Sequence, residues 1–252
     1  MKLLAVVALT LALNAAAFLP AHAPPRSITS LPLEEPAIEN DSAAAYGQYD
    51  EVWRVHTQRK DIALTFDDGP YPFYTPLLLH VLGRSQVHAT FFLVGRSAQE
   101  FPELVSRIVA SGDELGNHTF NHVALTKLPD AQIQYQILAD GTFLQQFTNQ
   151  PISLFRPPHG RFNLHVMTIA HELGYHTIFW SDSPNDVKDI PPALIVRRVV
   201  SDAGPGGIIL LHSGQYRTIE ALPVIIDRLR TQGYRFVTVS QLLDDAPDSS
   251  DR

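Results

Sequence analysis

Segments of β type and of helix type alternate along this chain from residue 61 to residue 239, and that alternation constrains the fold more than any other feature. The β-type segments are residues 61–66, 89–95, 114–116, 154–156, 176–180, 207–212 and 235–239. Helical segments are read at residues 74–83, 101–111, 130–147, 164–173, 192–203 and 218–231. Pro76 sits in a first turn, Asp130 reads as an N-cap, and Gly112, Gly174 and Gly233 close three of the helices. The strands are near-continuous apolar runs, such as Ile208-Ile209-Leu210-Leu211, rather than alternating ones. Runs of that kind are buried on both faces, as in a parallel sheet covered by crossover helices. Six or seven βα units close most naturally into an α/β barrel, with an open doubly wound sheet as the alternative. The barrel is favoured because polar residues gather just past the strand C-termini, where barrel sites collect.

The ends of the chain read differently. Met1-Lys2 precedes an almost wholly apolar run, residues 3–17, and Ala21-His22-Ala23 offers a small-x-small cleavage site. Residues 1–23 therefore read as a secretory signal peptide. An uncleaved anchor is the weaker reading, because Asn14 interrupts the run and it falls short of the ~20 residues a span needs. No Cys follows it, which excludes a lipoprotein anchor. Residues 24–55 are rich in Pro, Ser, Ala and acidic side chains and read as an extended lead-in, with Tyr49 and Trp53 candidates to pin it to the domain. Residues 56–243 form the domain and 244–252 an acidic tail. An exported, periplasmic or extracellular monomer is the expectation.

A formal charge of −7 gives no electrostatic footprint for nucleic acid. With no cysteine, any metal has to be held by histidine and carboxylate.

Two strings carry chemistry more densely than the rest. Thr65-Phe66-Asp67-Asp68-Gly69-Pro70 ends the first strand in adjacent carboxylates, and His118-Thr119-Phe120-Asn121-His122 places two imidazoles at i, i+4. Each alone is weak: Asp-Gly-Pro is ordinary turn chemistry, and 11 histidines in 252 residues produce such a spacing readily. Together they supply O and N donors for one divalent ion with a carboxylate to spare, a hydrolytic donor set rather than a structural one. The i, i+4 spacing predicts a helical turn. Arg156-Pro157-Pro158-His159-Gly160 is a stiff strand-terminal turn whose following N–H could face a reacting oxygen, while Arg156 could pair with a free carboxylate and keep it ionised. His212 ends the penultimate strand, well placed for acid–base work, and the loop from Trp180 to Asp186 supplies carboxylates to orient it.

The ordered set TFDDGP, HTFNH, RPPHG, the Trp180–Asp186 loop and LLHS resembles the polysaccharide deacetylase family, the NodB-homology domain of carbohydrate esterase family 4. The likeness runs over about residues 58–243. It implies a distorted (β/α)7 barrel of the NodB-homology type and metal-dependent hydrolysis of N-acetyl groups on an envelope or extracellular polysaccharide. By the same resemblance Asp68, His118 and His122 hold one divalent ion, zinc by default with cobalt or nickel as alternatives. Asp67 is the general base held by Arg156, and His212 the general acid tuned by Asp186. The His159 N–H serves the oxyanion, and Leu211 and Trp180 line a pocket for the acetyl methyl. Three features depart from the family pattern. His159 stands where an aromatic residue is usual, Val187 where Trp is usual, and Asp182 competes with Asp186 for His212. Two other readings stay open: a deacetylase or esterase on another acylated substrate, and a glycan-binding module without catalysis.

Overall fold

The computed structural model describes residues 51–244, all within one compact unit. The signal peptide read at 1–23, most of the lead-in with Tyr49, and residues 245–252 of the tail lie outside the described residues. The element order is β1 (Asp61–Asp67), α1 (Tyr74–Ser85), β2 (Thr90–Leu93), α2 (Gly95–Glu100), α3 (Pro102–Ala110), β3 (Glu114–Asn117), α4 (Asp130–Leu144), β4 (Leu154–Phe155), α5 (Leu164–Glu172), β5 (His176–Thr177), α6 (Pro192–Asp202), β6 (Gly207–His212), α7 (Tyr216–Thr231), β7 (Arg235–Val237) and α8 (Val239–Asp244). No helix among the described residues is long and apolar enough to cross a membrane.

All seven strands pair in parallel, in the order β5-β4-β3-β2-β1-β6, with β7 also on β1. β1 is buried along its whole length, as its unbroken apolar run requires. One edge of β1 pairs with β6 from Ile62 to Asp67. The other is shared between β7 at Asp61–Ala63 and β2 at Thr65–Asp67. The sheet curls, and its ends meet through single bridges rather than a full ladder. Ser181 N–H donates to the Ile208 carbonyl at 3.0 Å and Leu210 N–H to the Asp182 carbonyl at 2.8 Å. The end of the lead-in fills the remaining gap. Val52 exchanges hydrogen bonds with Thr177 and Phe179, each 2.8 Å, and Val55 N–H reaches the Gly206 carbonyl at 2.9 Å. A Cβ at Gly206 would collide with the Val55 carbonyl, so the strap lies flat only because that residue is glycine. Trp53 pins the strap by stacking on Phe179, 4.2 Å between ring centroids.

Strand parity divides the core in two. Leu64, Phe66, Ile209 and Leu211 point out beneath the helices. Ala63, Phe92, Phe179, Trp180, Ile208 and Leu210 fill the barrel, and Val239 and Leu242 of α8 close its lower end. Two helices were not apparent from periodicity. α2 starts at Gly95, where the second strand was expected to end. α8 replaces the end of the last strand because Thr238 and Gln241 form a capping box. Gln241 Oε1 accepts from Thr238 N–H at 3.0 Å, and Thr238 Oγ1 from Gln241 N–H at 3.4 Å. Asp130 is not an N-cap: Pro129 holds that position, and the Asp130 carboxylate meets His165 Nε2 at 2.9 Å.

Candidate active site and metal centre

The candidate site lies at the C-terminal end of the sheet. Asp67 and His212 are direct register partners at the ends of β1 and β6, so the two side chains point into the barrel mouth from neighbouring strands. Asp68 follows at once, with its backbone in the left-handed region at φ 65°. Asp68, Thr119, His122, His159 and Asn185 are five of the six non-glycine residues with positive φ among the described residues, and all five lie on the loops of this face. Such backbones cost of order 1–3 kcal/mol each and persist where surrounding bonds hold them.

Asp68, His118 and His122 each offer one donor atom, and these atoms lie within 4.8 Å of one another. His122 Nε2 is 3.2 Å from Asp68 Oδ1, and His118 Nε2 is 3.8 Å from the same oxygen. The pair does not sit on a helical turn, contrary to the i, i+4 reading. Residues 118–122 form a loop beyond β3, because Thr119 at φ 67° and His122 at φ 54° interrupt any helix. The donor set nonetheless suits a divalent ion. His118 Nδ1 lies 2.7 Å from the Arg156 carbonyl oxygen, which can only accept. Nδ1 therefore carries the proton and Nε2 presents its lone pair toward Asp68 and His122. Burial, and then the neighbouring His122, pull the His118 pKa down to about 3, so the imidazole is in the neutral form a ligand needs.

Asp67 is held from behind. Arg156, fully buried, donates from Nη1 to Asp67 Oδ1 at 2.6 Å and to Thr65 Oγ1 at 2.8 Å. Its other donors reach the Ile178 and Phe179 carbonyls, both at 3.0 Å. The Phe92 ring lies 4.1 Å from the guanidinium carbon. Every edge of the fork is engaged, so the guanidinium is a fixed post. Asp67 Oδ2 faces the cavity, 3.7 Å from His118 Nε2. Burial pushes the Asp67 carboxyl above its ordinary value, and Arg156 and His212 work against that rise.

Opposite stands His212. Its Nδ1 is 2.8 Å from Asp186 Oδ1, and Asp186 Oδ2 accepts from the His212 N–H and from Thr218 Oγ1 at 2.9 and 2.7 Å. Of the two competing carboxylates, Asp186 is therefore the one at His212. Asp182 instead accepts from Ser181 Oγ and lies 3.5 Å from Arg54, with burial raising its pKa to about 6. Burial is the largest single influence on His212 and lowers its pKa. Asp186 together with Asp67 and Asp68 outweighs it and brings the value to about 9.

A cavity of about 310 Å³ joins these groups, lined by Asp67, Asp68, His118, His122, His159, Gly160, Trp180, Val187, Leu210 and His212. His159 lies at φ 60° with its ring 4.7 Å from that of His122. Burial, and then His122 and Arg161, lower its pKa. Val187, half exposed, stands on the rim. Leu211 is not in the cavity wall. Its neighbour His212 points inward, so period 2 turns Leu211 out against the helices, next to Phe66. Leu210 is the residue that lines the cavity, and counting back two from His212 would have found it.

Comparison with known proteins agrees with this geometry. A family model described as polysaccharide deacetylase matches residues 54–178. The chain is 42% identical over 197 residues to a peptidoglycan-N-acetylglucosamine deacetylase of Bacillus cereus, covering 76% of this chain and 92% of that one. It is 37% identical over 188 residues to the peptidoglycan-N-acetylmuramic acid deacetylase PdaC of Bacillus subtilis, covering 75% of this chain but 40% of that longer protein. The structure of Bacillus subtilis PdaA, a family 4 carbohydrate esterase, superposes with a TM-score of 0.74 at 33% identity, over 80% of this chain and 88% of PdaA.

Proposed function

We propose that this chain, which belongs to the polysaccharide deacetylase family and is a hydrolase of linear amides, removes N-acetyl groups from the amino sugars of peptidoglycan, N-acetylglucosamine first among them. The observation that carries the reading is the meeting of Asp67 and His212 across one cavity, with Asp68, His118 and His122 beside them. The sugar preference follows the relative that is matched over nearly its whole length. The leader-like N-terminal sequence is consistent with an exported enzyme acting on an envelope glycan.

Asp68, His118 and His122 would hold one divalent ion, zinc being the natural choice for a His₂/carboxylate set and cobalt or nickel fitting the same donors. Bound there, such an ion supplies Lewis acidity and makes water a usable nucleophile near neutral pH. The remaining work belongs to the chain. Asp67 Oδ2, free of Arg156, takes the proton of the water that attacks the acetamide carbon. The His159 backbone N–H faces the oxygen on which charge develops; loss of one such donor typically costs ~10²–10³ in rate. His212, protonated up to about pH 9 and held through Nδ1 by Asp186, gives its Nε2 proton to the leaving nitrogen. Leu210 and Trp180 wall the space for the acetyl methyl. Acetate and a free amino sugar result.

The test is acetate release by the zinc-loaded protein from peptidoglycan strands, N-acetylglucosamine oligomers and O-acetylated xylan. Release from the first, with the free amine appearing on glucosamine, is expected. Release from xylan alone would move the activity to O-acetyl esters. Glycan binding with no release would make the chain a non-catalytic module.

A further inference from the structure

Each backbone N–H of the loop bearing His118 and His122 is bonded, and most of the backbone's partners come from two helices, α2 and α4, none of whose residues line the cavity. Every N–H from His118 to His122 has an acceptor. His118 N–H meets the Leu93 carbonyl at 3.0 Å and Asp140 Oδ2 at 2.9 Å. Thr119 N–H meets Asn117 Oδ1, and Phe120 N–H the Gln136 carbonyl, both at 2.9 Å. Asn121 N–H meets Gln136 Oε1 at 2.8 Å, and His122 N–H meets Thr119 Oγ1 at 3.1 Å. On the other side, the Thr119 and Phe120 carbonyls accept from Gly95 and Arg96 N–H, at 3.1 and 2.8 Å, in the first turn of α2.

We propose that α2 and α4 act as a clamp on this loop, with Gln136 and Asp140 as positioning residues that set the geometry of the two histidines. Gln136 and Asp140 stand one turn apart on the buried face of α4, beside Ile133 and Ile137. A core-facing helix stripe is ordinarily apolar, and a buried carboxyl costs free energy unless it is bonded. Asp140 is buried, and its Oδ1 has no hydrogen-bond partner among the described residues. Its Oδ2 accepts from the backbone N–H of a metal-ligand candidate. Gly95 makes the approach possible, since a Cβ there would lie 2.6 Å from the Phe120 ring and 2.9 Å from Asp140 Oδ1. The loop needs such support because Thr119 and His122 both hold left-handed backbones. α4 thus trades part of its packing for the conformation of a loop it does not carry.

The inference rests on the reading that His118 and His122 are ligands, so its test has two readouts. Zinc affinity is measured by chelator competition, and amide exchange of residues 118–122 is measured on the metal-free protein. Gln136→Met and Asp140→Leu remove the side-chain acceptors and leave the Gln136 carbonyl in place; Gln136→Glu and Asp140→Asn keep the side-chain acceptors. The expectation is that Gln136→Met and Asp140→Leu weaken zinc binding by roughly 10–100-fold and speed loop exchange, while Gln136→Glu and Asp140→Asn stay near the parent. Should Asp140→Leu fail to fold, Gln136→Met, a change of similar volume, decides alone. Folded Gln136→Met protein with parental zinc affinity and parental loop protection overturns the clamp. A parent that binds no zinc counts against the ligand reading instead, and loop exchange then judges the clamp.

Discussion

The two ends of the sheet bury carboxylates equally well and use them differently. At the N-terminal end Asp61 is taken by Arg235 through two bonds of 2.7 and 2.8 Å and by Arg59 at 2.8 Å. Asp113 accepts from the Ala89 N–H at 2.9 Å, and Glu114 from Thr90 Oγ1 at 2.7 Å and the Ser240 N–H at 3.3 Å. These bonds tie strands, turns and α8 together. The cavity there is larger, about 540 Å³ against about 310 Å³, and Asp113, Glu114 and Asp244 line it, yet no histidine does. At the C-terminal end Asp67 keeps one oxygen open, and carboxylates and imidazoles converge on a single space. Neither burial nor cavity size separates a site from a structural floor; convergence of unlike groups with spare valence does.

Five variants, in three comparisons, press on that contrast. The largest effect is expected from His212→Ala, which lowers kcat/KM by ~10²–10⁴ while zinc content stays at the parental level. His118→Ala loses the zinc. Metal analysis beside acetate kinetics separates the two roles, and equal metal content with normal activity in both would end them. Next come the adjacent leucines of β6. Leu211→Ala costs about 2–5 kcal/mol of stability and leaves the kinetics of the folded protein unchanged. Leu210→Ala alters kcat/KM on the acetylated sugar. Denaturant melts with matched kinetics test this, and the reverse pattern would mean the parity assignment fails. Smallest is Asp113→Asn at the floor. Burial raises the Asp113 carboxyl to about 7 from an ordinary 3.8, so the fold is penalised as pH climbs from about 4 to 7. The amide keeps the acceptor for Ala89. Stability at pH 8 is expected to rise by on the order of 1–4 kcal/mol, with no gain at pH 4 and no change in kcat/KM.

Much of this was legible in the residues. Unbroken apolar strands announced a parallel sheet, and polar strings just past strand ends announced which face carries the site. What stayed hidden depended on three-dimensional partners. The 118–122 loop keeps a helical spacing without being helical, because its conformation is imposed by α2 and α4. Arg156 was expected to keep Asp67 ionised. The pairing is there, but burial outweighs it and leaves the carboxyl raised. Leu211 was chosen where strand parity selects Leu210, a signal that was present and unused. The Thr238–Gln241 capping box was equally readable and marks α8. By contrast, the way β1 divides one edge between β2 and β7 has no counterpart in local sequence.

The account stands on His212 acting as a proton donor whose charge Asp186 sustains across the cavity from Asp67. The pH dependence of kcat/KM for the zinc-loaded parent and for Asp186→Asn tests it most directly. A raised histidine stays protonated until its folded pKa, so with Asp186, the largest raising influence, in place the parent should hold its rate past the ordinary histidine value of 6.5 and fall only at more alkaline pH. Removing the Asp186 charge should bring that alkaline limb down by at least roughly one pH unit with zinc content unchanged. An alkaline limb at the same pH in both proteins would contradict the account.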